Sequence, residues 1–162
     1  MRRRLLARAS SSTRVLEAIM DGNEMSRQQA VYQKPLPHIT PLNKPFWDYA
    51  ARSIFALQTC DACGDAHVPP SPVCPKCLSD KQSWKPASGR GTLESWADFH
   101  RAYWDGFKEE LPYRTCLVKL DEGPLIISNL VGDDAKTRIG ARLRVTFERV
   151  TEEIAIPKFI LD

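Results

Sequence analysis

No stretch of eighteen or more apolar residues occurs in the chain, so no segment is long and apolar enough to cross a bilayer as a helix. Also missing are G-x-S-x-G, H-E-x-x-H, a P-loop and a dinucleotide fingerprint, and Gly89-Arg90-Gly91 is too short a glycine pattern to cradle a phosphate. Independent hydrolytic, phosphoryl-transfer or dehydrogenase chemistry therefore has no signature here. An excess of one charge is lacking too, once the chain is divided. Residues 1–34 hold seven Lys or Arg against three acids, and residues 35–162 hold sixteen against seventeen, so the net +3 resides in the N-terminal stretch. A near-neutral body is poorly suited to tracking phosphates, which argues against nucleic acid as the main partner.

Acids are absent from residues 1–16, which open with Met1-Arg2-Arg3-Arg4-Leu5-Leu6. That charged start resembles a signal peptide, but residues 7–12 supply neither a continuous apolar core nor a clear cleavage site. Secretion is not expected, and the chain is read as cytoplasmic. An Arg- and Ser-rich, acid-free start also suits an organellar transit peptide. The plainer reading of residues 1–34 is a disordered tail, or an over-long reading frame whose true start is Met25, because apolar periodicity is not sustained there. Residues 13–20 offer two helical turns at most, too few to be stable unless docked.

Against these absences stands one dense chemical signal, Cys60-Asp61-Ala62-Cys63 followed by Cys74-Pro75-Lys76-Cys77. Two C-x-x-C pairs with ten residues between them place four thiolates where two tight turns converge on one tetrahedral metal. Gly64 after the first pair can take positive φ, and Pro75 pre-sets φ in the second. Leu78 stands where the first knuckle has glycine. Disulfides are the bland alternative and iron the sharper one, since four sulfurs suit either ion. With no flavin or nicotinamide motif to suggest electron transfer, structural zinc is preferred over iron. His67 between the pairs is read as a strand residue rather than a ligand, and His38 as a surface residue.

The remaining segments read as follows. Lys34-Pro35-Leu36-Pro37-His38-Ile39-Thr40-Pro41 is an extended arm, because each residue before a proline is pushed from the α region. Asn43 is a candidate N-cap and Pro45 suits the first turn of a helix over 43–53, with Phe46, Ala50 and Ile54 at helical spacing. Residues 55–59 and 66–68 read as ribbon strands. Five further strands follow, at 91–99, 113–120, 125–131, 142–148 and 154–161, with a helical turn near 133–137 between the third and fourth. Alternation is clearest where Leu143, Val145 and Phe147 face Arg142, Arg144, Thr146 and Glu148. Pro157 suggests an edge position for the last strand. That order matches an OB fold. The expected fold is mainly β: arm and helix over 35–53, zinc ribbon over 54–86, five-stranded OB barrel over 87–162. Cys116, the odd cysteine, is read as a buried core residue.

Pro45-Phe46-Trp47, Leu57-Gln58-x-Cys60-x-x-Cys63-Gly64, Pro69-Pro70, Cys74-Pro75-x-Cys77 and Ser88-Gly89-x-Gly91-Thr92, taken together, resemble a known family. It is the acyl-CoA-associated family of OB-fold proteins with a rubredoxin-like zinc ribbon, long catalogued as a domain of unknown function. Later segments agree, including residues 99–103, Pro112-Tyr113, residues 120–124 and Ser128-Asn129-Leu130. Ser53-Ile54 departs from the glycine that relatives often carry between helix and strand. The resemblance implies metal ligation by Cys60, Cys63, Cys74 and Cys77. It also implies an accessory or bridging role beside thiolase-like enzymes, aldolases or MaoC-like enoyl-CoA hydratases, as in lipid or steroid side-chain breakdown, with the catalytic residues in the partner.

Candidate contacts to a partner or acyl-CoA are Phe46 and Trp47 on the helix, and His100, Arg101, Tyr103 and Trp104 in the loop 100–112. Aromatics among charges suit an interface, and a short helix cannot bury Phe46, Trp47 and Tyr49 against itself. For His100 a hydrogen-bonded structural role is the plainer reading. The competing function is single-stranded nucleic-acid binding, since OB folds and zinc ribbons both serve it and Trp96, Phe99, Tyr103 and Trp104 could stack on bases beside Arg101 and Arg114.

Overall fold

Alternating prolines keep the start of the described chain out of helix and sheet. The computed structural model describes residues 32–132 and 134–162; the readings of a tail, of a helix at 13–20 and of Met25 as a start lie outside them. From Gln33 to Thr40 the arm has neither helix nor strand. Lys34 anchors it, pairing with Glu110 while its ammonium lies 5.0 Å from the centre of the Phe107 ring. A Cβ on Gly106 would come within 2.8 Å of the backbone of Gln33, so the crossing of arm and loop requires glycine.

The helix is Lys44–Ala50, shorter than the expected 43–53, and a turn carries the chain on to Ser53. Asn43 does not cap it with its side chain. Its Oδ1 accepts from the Thr40 N–H at 2.7 Å and its Nδ2 donates to the His38 carbonyl at 3.0 Å, so the asparagine closes the preceding turn instead. Ser53 follows with φ of 58°, the left-handed conformation that glycine adopts most cheaply.

Strand β1 (Ala56–Cys60) is central in a three-stranded antiparallel sheet, with β2 (Ala66–His67) on one side and β3 (Gln82–Pro86) on the other. The pattern of Gln82-Ser83-Trp84-Lys85-Pro86 did not announce β3, because neither face is consistently apolar. Strands β4 (Arg90–Phe99), β5 (Tyr113–Leu120), β6 (Leu125–Leu130), β7 (Arg142–Arg149) and β8 (Ala155–Leu161) then close a barrel in the order β4-β5-β6-β8-β7. A short 3₁₀ turn at Asp134–Lys136 lies between β6 and β7 where a helical turn was expected. The architecture is the expected one: mainly β, with a helix, a ribbon and a five-stranded OB barrel.

The place of the last strand also differs from the expectation. β8 is not an edge strand, for it pairs along its length with β7 and joins β6 at Leu130–Phe159. Pro157 faces β6 as Phe159 does, but the backbone ladder between β6 and β8 is the pair Leu130–Phe159, and the Pro157 carbonyl accepts from the Ser128 hydroxyl at 2.8 Å, so a side chain takes the place of the ladder bond that proline cannot complete. Leu93, Val118, Leu120, Leu143 and Phe159 fill the barrel. Phe55 and Leu57, at the entrance of the ribbon, belong to the same core, and the Phe55 and Phe159 rings meet edge-on with centroids 6.2 Å apart.

Candidate metal centre and partner-facing surface

β1 ends in Cys60, and the turn after it brings the Gly64 N–H back to the Cys60 carbonyl at 2.8 Å. The second knuckle repeats this closure, with the Leu78 N–H donating to the Cys74 carbonyl at 2.9 Å. Both closing residues are left-handed, Gly64 at φ 76° and Leu78 at φ 61°. The four sulfurs converge within 4.8 Å of one another, with Cys60 and Cys77 3.5 Å apart and Cys63 and Cys74 3.7 Å apart. A tetrahedron with Zn–S bonds of about 2.3 Å has S–S edges of about 3.8 Å, whereas a disulfide needs about 2.0 Å. The spacing fits a metal.

Electrostatics agree. Burial pushes the Cys60 thiol up, but the backbone N–H groups of Cys63 and Ala62, with the Cys77 and Cys63 thiols, bring it down to about 7. The Asp65 N–H favours a thiolate on Cys63, yet the Cys77 thiol, burial and the Cys60 and Cys74 thiols push that group up to about 12. One sulfur ionises readily and a neighbour resists. Four close sulfurs become thiolates together only when a cation shares their charge. Zinc is then a structural cross-link between the knuckles, in a closed site without an open position for a substrate.

Two glutamines fix the second knuckle against the sheet, a feature that cysteine spacing did not signal. Gln58 of β1 is buried, and its Oε1 accepts from the Ser71 N–H at 2.7 Å; Gln82 of β3 donates from Nε2 to the Ser71 carbonyl at 2.8 Å. Ser71 is thereby held three residues before Cys74. His67 lies buried in β2 with Nε2 3.2 Å from the same Gln58 oxygen, outside the four-cysteine set.

At the far end of β4 the loop 100–112 folds over a chain of rings, with a 3₁₀ segment at Asp105–Glu110. Phe99 stacks on Tyr113 at 5.1 Å and 7°, and Phe107 meets Tyr113 at 4.9 Å. Tyr103 and Trp104 remain 59% and 55% exposed. Arg101 lies 5.7 Å from the Tyr103 ring centre. His100 is exposed, with no hydrogen bond among the described residues where a structural one was expected, and stands on the rim of a cavity of about 400 Å³ lined also by Asp98, Glu110, Tyr113, Arg114 and Lys158. Arg114 donates to both Asp98 oxygens at 2.6 and 3.1 Å, which holds that carboxyl below its usual range despite the opposing effect of burial. All four candidate stacking rings have neighbours: Phe99 stacks on Tyr113, Trp96 lies 5.8 Å from the Arg114 guanidinium, Tyr103 meets Phe99 edge-on at 6.2 Å, and Trp104 lies 6.1 Å from Phe107.

The helix residues divide. Phe46 turns inward, with its ring centre 6.3 Å from those of both Phe55 and Trp84. Trp47 lines a groove of about 500 Å³ with Ile39, Lys44, Asp48, Ala51, Arg52 and Glu153, and its buried Nε1 has no hydrogen-bond partner among the described residues. Cys116 is buried as expected, its thiol pushed up to about 11 by burial against the opposing Ser128 N–H.

Residues 47–81 match the model of the ChsH2 rubredoxin-like zinc ribbon domain, and residues 84–148 that of the ChsH2 C-terminal OB-fold domain. A DUF35 domain-containing scaffold protein of Methanothermobacter thermautotrophicus is 31% identical over 96 residues, which cover 58% of this chain and 71% of that protein. The chain belongs to the ChsH2 (DUF35) family. A solved structure titled Ltp2-ChsH2(DUF35) aldolase matches this DUF35 chain with a TM-score of 0.70 at 30% identity, covering 78% of it and 98% of the other chain. A probable enoyl-CoA hydratase alpha subunit of Thermomonospora curvata is 30% identical over 152 residues, 93% of this chain. The alignment spans 47% of that relative, so this DUF35 chain corresponds to about half of its length.

Proposed function

We propose that the chain is a non-catalytic accessory subunit that docks on an acyl-CoA enzyme of thiolase, aldolase or hydratase type, in the cytoplasm, serving lipid or steroid side-chain breakdown. The observation that carries this reading is the exposure of Tyr103 and Trp104. Phe99, Phe107 and Tyr113 pack on one another and are half-buried, while these two stand more than half exposed near the cavity at the end of the barrel. Paired exposed aromatics with an arginine alongside are the composition of an interface centre. Trp47 adds a second contact point, because its half-buried ring lines a groove at the surface of the helix. The relatives' names, a scaffold protein, an aldolase complex and a hydratase subunit, support the class of partner.

The test is co-expression with an acyl-CoA enzyme of thiolase, aldolase or hydratase type from the same source, followed by gel filtration and an activity assay with and without it. Co-elution is expected, with the double variant Tyr103→Ala and Trp104→Ala eluting separately while remaining folded. Separate elution of the unaltered proteins, with the enzyme fully active alone, would sink the proposal. Tight binding of a single strand of nucleic acid at physiological salt would move the reading to the OB-fold alternative.

A further inference from the structure

Beside the four-cysteine centre, three more donor atoms converge: a carboxylate oxygen of Asp65, a ring nitrogen of His67 and the sulfur of Cys74, all within 4.8 Å of one another. The orientation of the imidazole is fixed by its neighbour. The Ser71 backbone N–H can only donate, so the Gln58 atom 2.7 Å from it is the carbonyl oxygen. That oxygen can only accept, so His67 Nε2, 3.2 Å away, carries the hydrogen. In the neutral ring the lone pair therefore sits on Nδ1. This atom is buried and has no hydrogen-bond partner among the described residues, on a side chain 8% exposed. It faces the Asp65 Oδ2 at 3.9 Å. A buried acceptor aimed at a carboxylate and a sulfur is three electron-rich groups sharing one space, an arrangement that calls for positive charge among them.

We propose that Asp65, His67 and Cys74 form a second cation site, adjoining the first and sharing the Cys74 sulfur as a bridging thiolate. One nitrogen, one oxygen and one sulfur suit a borderline divalent ion such as zinc or cobalt rather than calcium or magnesium, which prefer oxygen alone. Entry is from the Asp65 side, where the carboxylate is 28% exposed and Lys76 Nζ, 3.9 Å off, is the competing cation. The site rests on the zinc-ribbon reading for its shared sulfur but not on any partner enzyme.

The experiment uses the full-length protein loaded with zinc or cobalt. Titration with free zinc should reveal a second equivalent, weaker than the first, and cobalt should add a second set of d–d bands with a shifted thiolate charge-transfer band. His67→Gln should lose the second equivalent and keep the first; Lys76→Ala should tighten the second severalfold. A single equivalent at saturating zinc would overturn the proposal, as would a second equivalent unchanged in His67→Gln. So would nitrogen NMR showing hydrogens on both ring nitrogens of His67 in the fully zinc-loaded protein, because a proton would then occupy the place assigned to the metal. Absence of even the first equivalent would instead count against the zinc ribbon itself.

Discussion

The ribbon and the barrel are both small antiparallel sheets, yet different chemistry holds each. The barrel buries hydrocarbon, with Leu93, Val118, Leu120, Leu143 and Phe159 all at 2% exposure or less. The deepest side chains around the knuckles are Cys60 and Cys74, next to the buried polar groups of Gln58 and His67. A leucine is content with any close-packed neighbour, whereas a buried thiolate or amide needs one partner in one direction. The barrel should therefore weaken by degrees and the ribbon all at once. Phe55 and Leu57 are the seam, since they enter the ribbon yet pack in the barrel.

Removing the metal tests that contrast most severely. Structural zinc binds with on the order of 10 kcal/mol, and a ribbon this small has little apolar burial to replace it. Chelation, or Cys63→Ser, should expose the amides of residues 56–86 to hydrogen exchange while β4 to β8 stay protected. Equal loss of protection in the barrel would show that the seam makes one cooperative unit of the two.

A cavity in the barrel is the converse experiment. Phe159 is fully buried against Phe55, so Phe159→Ala should destabilise by about 3–5 kcal/mol in denaturant titrations at saturating zinc. Zinc stoichiometry should hold at one or more per chain, because the cysteines do not depend on that ring. Loss of metal in this variant would place the ribbon's stability in the barrel core.

What the sequence disclosed follows the same division. Cysteine spacing and the alternation of residues 142–148 reported directly on metal and barrel, because each is a local rule that a few residues state outright. β3 stayed hidden, since Trp84 is ordered by contact with Phe46 from the helix rather than by its own strand pattern. Asn43 looked like a cap from its position, but capping depends on which N–H groups compete for its oxygen, and Thr40 wins. Phe46 and Trp47 read alike as interface candidates; only the path of the helix across the core turns one inward and leaves the other on a groove. Gln58 enters the sequence reading only as part of a motif and Gln82 not at all, because their shared partner is the backbone of Ser71, which no residue pattern reveals.

At the barrel's polar end, acid should show a smaller effect. The hydrogen bonds from Arg114 hold the Asp98 carboxyl below its usual 3.8 in the folded protein. A carboxyl lowered on folding adds stability that is complete above the unfolded value and disappears as pH falls through the folded one. Stability should thus decline below about pH 4, and Asp98→Asn should flatten that limb and lower the neutral-pH plateau by the same amount, kept small because the carboxylate is 37% exposed and screened. An unchanged acid limb in the variant would remove the ion pair from the account.

The finest comparison is between the two knuckles. Gly64 and Leu78 close equivalent turns with φ of 76° and 61°, yet only the first is a residue suited to that conformation. An L-residue held left-handed is strained by about 1–2 kcal/mol, which Leu78→Gly relieves. Glycine in turn gains freedom in the unfolded chain, which takes back about 0.4–1 kcal/mol. Little packing is lost, because Leu78 is 75% exposed. The difference leaves a stabilisation of between about 0 and about 1.6 kcal/mol, read from denaturant midpoints at fixed free zinc. Leu78→Ala should give no such gain, because alanine keeps the Cβ that makes the conformation strained. A destabilised Leu78→Gly beside a neutral Leu78→Ala would mean that the second knuckle is not strained and that the turns are equivalent in shape alone.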